Sequence, residues 1–111
     1  MLAVEGIVSA RDPLFFPEQD VAHHRPDVLL LWEADEPDHV ETLAAEDVEA
    51  KLAALRAHES QFRTTMGVDV DDPAAEAQWD SFRERIHARL AEWGRFGGCE
   101  LAEGFKKIDR L

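Results

Sequence analysis

Residues 27–32 of this chain read DVLLLW, and five apolar side chains follow one another from Val28 to Trp32. Apolar residues without alternation are typical of a strand that is covered on both faces, the usual state in a parallel sheet. A strand of that kind needs helices above and below it. Pro26 precedes the run and an acidic turn, residues 33–38, follows it. The run therefore predicts a buried strand of an α/β fold.

Two amphipathic helices are predicted after this strand. The first covers residues 45–61, where apolar side chains recur at positions i, i+4, i+7 and i+14. The second covers residues 74–93, where apolar side chains recur at steps of three or four. Asp72 suits the N-cap of the second helix, Pro73 its first position and Gly94 the position after its end.

The ends of the chain supply shorter predicted elements. Residues 2–10 are interpreted as a short helix, residues 12–26 as a loop held against the core, and residues 99–108 as a final strand. One buried strand and a second short one make a poor sheet, because stable sheets usually have three or more strands. We therefore predict α/β architecture, part of a three-layer, Rossmann-like sandwich, and treat residues 1–111 as a single incomplete domain.

Composition excludes several classes of partner. The 111 residues include 12 Lys and Arg against 24 Asp and Glu, a formal net charge of −12. Such a charge disfavours binding to phosphate backbones and to anionic membrane surfaces. The longest apolar run is far shorter than the roughly 20 residues that span a bilayer, and Glu5 interrupts any signal-peptide pattern. The single cysteine, Cys99, fits a reducing cytosol, so the sequence predicts a cytoplasmic protein without nucleic-acid partners or a membrane span.

The five histidines do not form a recognisable metal motif. Zinc sites favour ligand pairs at i, i+3 or i, i+4 on a helix, and no two histidines here have that spacing. We therefore predict no metal site within this chain, although a small metal protein that uses His23, His24 or His58 stays open as a third hypothesis. The sequence also lacks a G-x-S-x-G motif, a phosphate loop and a dinucleotide fingerprint.

Residues 51–61, KLAALRAHESQ, combine polar side chains with a helical apolar stripe. Lys51 and His58 are seven residues apart, which places them on nearly the same face of a helix. Ser60 and Gln61 fall in the predicted last turn, where side chains can bond the free backbone groups. This pattern favours a cluster that caps and packs the helix end, and it leaves a role in substrate binding open.

The same segment carries a resemblance to a known family. The pattern Lys-x3-Leu-x2-His-x-Ser-Gln, from Lys51 to Gln61, resembles the late signature of the PIG-L (LmbE-like) zinc-dependent de-N-acetylases. Residues 10–18 (ARDPLFFPE), residues 25–32 followed by 36–39, and residues 98–105 (GCELAEGF) resemble other parts of that family, in the same order. Together these stretches extend over nearly the whole chain.

The resemblance implies an amide hydrolase of N-acetylglucosamine-type conjugates, in which zinc polarises the acetamide and activates a water. The family's zinc motif, His-Pro-Asp-Asp, does not occur in this sequence, and Glu36 stands where a second motif would have its leading histidine. His39 is therefore not taken as a ligand. The full-length family uses zinc, but we expect this chain to contribute none of the zinc ligands. We also expect it to contain no catalytic residue.

The resemblance thus implies the C-terminal half of such a deacetylase, from a truncated gene and inactive alone. Within a complete enzyme, the partner would be a small N-acetylated sugar conjugate, and the candidates for its side of the site are His58, Arg11 and Glu18. The positions that match the family signature are Lys51, His58, Ser60, Gln61 and Glu103.

A noncatalytic interpretation stays open beside this one. A free-standing acidic module could dock a partner through the helix that carries Trp79 and Trp93, if a minimal sheet left those rings uncovered. A homo-oligomer is also compatible with the sequence.

Overall fold

A computed structural model describes residues 2–109 of the chain. In that part the polypeptide forms three α-helices and three strands, with short 3-10 and π turns between them. The helices are α1 (Leu2–Ala10), α2 (Ala45–Arg56) and α3 (Ala75–Gly97), and the strands are β1 (Leu29–Trp32), β2 (His39–Thr42) and β3 (Ala102–Ile108). The mixed α/β class predicted from the sequence is confirmed.

The three strands form one sheet in the order β1-β3-β2. β1 runs antiparallel to β3, with Leu29 opposite Ile108 and Trp32 opposite Phe105. The prediction of a parallel strand buried on both faces is therefore wrong. β1 is an edge strand with a neighbour on one side only, and the side chain of Trp32 is 73% exposed.

β2 is not among the elements predicted from the sequence, because Val40 and Leu43 alone are too few apolar residues to show an alternation. In the structure the amide of Leu43 donates to the carbonyl of Leu101 at 2.9 Å, and the side chain of Val40 lies against Gly97.

Both predicted helices form, with shifted ends. α2 ends at Arg56, five residues before the predicted end, and α3 continues to Gly97, four residues beyond it. Gly94 is not the terminal glycine but a buried residue inside α3, whose Cα faces the backbone of Glu100. The left-handed position that ends the helix is taken by Gly98, with φ +73°.

The contacts divide the chain into two compact units. Within the described residues, the first unit comprises 2–39 and 105–109, and the second comprises Val40–Gly104. The core lies in the second unit, in two clusters that consist of Val48, Leu52 and Leu90, and of Met66, Val68 and Phe82. Residues 12–26 belong to the first unit, and the prediction that they are held against a core is wrong, because nearly all of them are exposed.

Candidate functional site

Two residues of the family signature meet in the second unit. The ammonium of Lys51 donates to the carboxylate Oε1 of Glu103 and forms an ion pair with it. Lys51 lies on α2 directly before the buried Leu52, and Glu103 lies on β3 directly after the buried Ala102. Because each partner is adjacent to a core residue, the core fixes the ion pair in place. Both side chains stay about one-third exposed, at 33% and 35%.

The other signature residues lie just beyond the end of α2. The amide of His58 donates to the carbonyl of Leu55 at 3.0 Å, and the carbonyl of His58 accepts from the amide of Gln61 at 2.9 Å. Ser60 is the middle residue of the 3-10 turn Glu59–Gln61. The chain thus leaves the helix through a tight turn that depends on backbone groups.

The predicted capping role of the His58 side chain is not observed. His58 occupies the position before the 3-10 turn, but its imidazole makes no capping hydrogen bond and is exposed. The side chain of Gln61 instead accepts from the Thr65 hydroxyl at 2.9 Å. The imidazole is therefore accessible from solvent at the end of the signature segment.

The segment that follows the signature, residues 62–72, is held by a hydrogen bond and ion pairs that the sequence did not predict. The guanidinium of Arg85 donates to the carbonyl of Met66 at 2.7 Å, and Arg63 pairs with Asp69 at 2.7 Å and Asp71 at 3.0 Å. The amide of Asp71 and the guanidinium of Arg63 both donate to Asp69 and hold the pKa of its carboxyl below the ordinary value. Asp69, Asp71 and Asp72 lie close together in the sequence, but their order does not predict which of them pairs with Arg63.

Arg11 and Glu18 lie in the first unit, and the structure does not bring them together. Arg11 follows the end of α1, and its amide donates to the carbonyl of Ile7 at 3.3 Å. Glu18 lies in the exposed 3-10 turn Pro17–Gln19. A cleft of about 470 Å³ between α1 and the following loop includes Phe15 and His24 among its lining residues, but neither Arg11 nor Glu18.

Residues 36–39, a turn that resembles part of the family, have a structural role in the first unit. The carboxylate of Asp38 accepts from the Lys107 amide at 2.9 Å and pairs with the Lys106 ammonium at 2.6 Å. Its own amide donates to the carbonyl of Phe105 at 3.0 Å. The Lys106 ammonium, followed by the Lys107 amide, holds the pKa of Asp38 below its ordinary value, and Asp38 raises the pKa of Lys106.

A groove of about 330 Å³ runs along α2 and α3 in the second unit. The guanidinium of Arg56 lies 4.9 Å from the centre of the Trp79 ring, a cation–π contact, and it pairs with Glu76 at 3.4 Å. The sequence predicts that Trp79 lies on α3, but residue order gives no sign of Arg56 above its ring. Arg56 and Glu76 thus pair with each other in this groove, which Glu49, Asp80 and Arg83 also line.

The residues present do not fit a metal site. Within residues 2–109, no group of three or more His, Cys, Asp or Glu side chains is close enough to hold a metal ion. A tetrahedral zinc site needs three or four such ligands. The described side chains alone therefore do not make the zinc centre that the family resemblance implies.

The chain was compared with protein-family models, with curated proteins and with solved structures, and one of the solved structures indicates its fold. No protein-family model matches the chain, and no curated protein matches it. A solved structure does match: N,N'-diacetylchitobiose deacetylase from Pyrococcus horikoshii in complex with an inhibitor, at a TM-score of 0.62 and 22% identity. The match extends over 97% of this chain and 37% of that one. This chain has part of a deacetylase-like fold.

The deacetylase-like fold includes both units of the chain, since the match extends over nearly all of it. The chain spans little more than a third of the length of the solved structure. None of the helices described between residues 2 and 109 has the length and apolar composition needed to cross a membrane.

Proposed function

We propose that this chain is the C-terminal part of a PIG-L (LmbE-like) de-N-acetylase domain, an amide hydrolase for N-acetylglucosamine-type conjugates. The observation that carries this proposal is the deacetylase-like fold over 97% of the chain. Four stretches that resemble the family in its own order support it independently. The ion pair between Lys51 and Glu103 adds to this support, because it connects two of those stretches.

In this proposal the chain contributes to binding and positioning of the substrate. The exposed imidazole of His58 is available to hydrogen-bond a sugar hydroxyl or an acetamide group. Arg11 and Glu18 are exposed as well and can bind polar groups of the conjugate. Lys51 and Glu103 are positioning residues, since their ion pair fixes α2, which leads directly to His58.

Zinc, when bound in such an enzyme, supplies the Lewis acid that activates a water. Because residues 2–109 hold no cluster of three ligands, the proposal assigns its protein ligands to polypeptide outside this segment. The chain alone is then inactive. The cytoplasm stays the predicted location, on the basis of the single cysteine.

The test is a measurement of acetate release from N,N'-diacetylchitobiose in the presence of zinc. The assembly purified from the source cells should release acetate, and the 111-residue chain alone should not. In that assembly His58→Ala should lower kcat/KM about tenfold, the size of one lost hydrogen bond. Glu59→Ala is the matched control, since Glu59 is the exposed neighbour of His58 and should leave kcat/KM unchanged. An assembly without amidase activity would overturn the proposal.

The noncatalytic alternative stays a prediction, and α3 adds little support to it. Trp79 packs edge-on against Phe62 and Phe82, with ring centres 4.9 and 5.9 Å apart. The indole of Trp93 lies against Gly104. Both rings are half-buried within the second unit.

A further inference from the structure

Exposed apolar side chains are concentrated in the first unit. Among the described residues, all seven buried hydrophobic side chains belong to the second unit. Eleven of the 13 large hydrophobic side chains that are exposed belong to the first unit, and only Val70 and Phe96 belong to the second. Several of these side chains are consecutive in the sequence, at residues 14–16 and 31–32, and clustered exposed apolar groups often mark an interaction site. Within its described residues, 2–39 and 105–109, the first unit therefore has no buried hydrophobic core.

β1 lies in the first unit and offers a specific means of attachment. It is an edge strand of the sheet, and its four residues, LLLW, include neither a charge nor a proline. Natural proteins usually protect an edge with such residues, because an unprotected apolar edge pairs with a further strand. The other edge strand, β2, carries Glu41. The free edge of β1 is therefore the stronger candidate for strand addition.

The fold likeness and the charge both limit what can occupy this surface. The deacetylase structure matches 97% of this chain but only 37% of its own length lies in the match, so the rest of such a fold is further polypeptide that is absent from these 111 residues. A second copy of this chain is less favourable. Each copy carries a net charge of −12, and like charges oppose self-association.

We propose that the free edge of β1, with the exposed side chains of Leu31 and Trp32, binds a strand of the polypeptide that supplies the remainder of the deacetylase-like fold. That polypeptide is either continuous with this chain or a separate subunit. The inference rests on the proposed function, because it takes the partner to be the rest of the same domain. It adds the location of the interface and the strand pairing that forms it.

Photo-cross-linking in the source cells tests this proposal. The gene at its own locus is altered to carry Trp32→p-benzoylphenylalanine, and the matched control carries Phe96→p-benzoylphenylalanine. Both positions are aromatic and exposed, at 73% and 61%, but Phe96 lies in the second unit. The cross-linked peptides are identified by mass spectrometry. In parallel, Trp32→Glu and Phe96→Glu are compared for recovery of the intact assembly.

We expect Trp32 to cross-link to a segment that aligns with the unmatched part of the deacetylase structure. We also expect Trp32→Glu, and not Phe96→Glu, to abolish recovery of the assembly or, where both parts belong to one chain, of that chain in folded form. A cross-link from Trp32 to a second copy of this chain or to an unrelated protein would overturn the proposal. Trp32 labelling no stronger than that at Phe96 would also overturn it. If the expected segment is captured but the assembly does not release acetate, the interface stands and the proposed function fails.

Discussion

Lys51 and Glu103 form an ion pair although they lie 52 residues apart in the chain. One partner lies on α2 and the other on β3, and each follows or precedes a core residue. The two residues belong to separate stretches that resemble the same family. The ion pair gives a physical reason for both residues to be present together, since Lys51 without Glu103 would be a half-buried charge without a partner.

The ion pair predicts a reciprocal effect on stability. Lys51→Met and Glu103→Gln should each lower the free energy of unfolding of the chain by about 1 kcal/mol, the upper range for partly exposed pairs. The double exchange Lys51→Glu with Glu103→Lys should recover most of that loss. Chemical denaturation measures these differences. Glu76→Gln is the control, because Glu76 pairs with Arg56 at 3.4 Å and is 83% exposed, and it should have almost no effect.

Asp38 predicts a dependence of stability on acid pH. Its pKa in the folded chain is lowered by the Lys106 ammonium and the Lys107 amide. Its stabilising effect is therefore complete above the unfolded value of about 3.9, and is lost as the pH falls through the lower folded pKa. A carboxyl NMR titration should show that Lys106→Met raises the pKa of Asp38. An unchanged titration in that variant would refute the assignment.

Gly94 should not tolerate a side chain. A methyl group there would meet the backbone carbonyl oxygens of Glu100 and Cys99. Gly94→Ala should therefore lower the free energy of unfolding by about 1–3 kcal/mol, the usual cost of overpacking. Gly6→Ala is the matched helical control, since nothing lies within 4 Å of the added carbon. Thermal unfolding should show Gly6→Ala neutral or more stable, and equal losses in both variants would contradict the close approach.

The unequal burial in the two units predicts unequal responses to truncation of leucine. Leu90 is 3% exposed and packs in the cluster with Val48 and Leu52. Leu90→Ala should cost about 2–5 kcal/mol of unfolding free energy. Leu14 is 83% exposed, so Leu14→Ala should change the stability of the isolated chain very little. Denaturant titration of both variants tests the comparison, and a similar loss in Leu14→Ala would show that the first unit has a core after all.

The sequence predicted the helices better than the strands, for physical reasons. The stripe of α3 is long enough to define a helical period, whereas β2 has four residues and gives almost no signal. DVLLLW indicated the position of β1 correctly. The apolar composition of this stretch is the same whether a strand is covered by its own chain or by other polypeptide. It therefore predicts the strand but not what packs against it.

The candidate site, too, could be predicted only in part from the sequence. The spacing of Lys51 and His58 predicted a shared helical face, but α2 ends at Arg56 and His58 falls in the turn beyond it. Pairing of Lys51 with Glu103 could not be derived from spacing, because it depends on how β3 returns to α2. The Asp69 network likewise depends on the path of a loop, which residue order does not fix.

Native mass spectrometry of the endogenous protein tests the central claim most directly. The account predicts that the 111 residues are found together with further polypeptide, in one chain or in a complex, and that the additional sequence aligns with the rest of the deacetylase-like fold. A free protein of 12.5 kDa, or an assembly of identical 12.5-kDa chains, would contradict it.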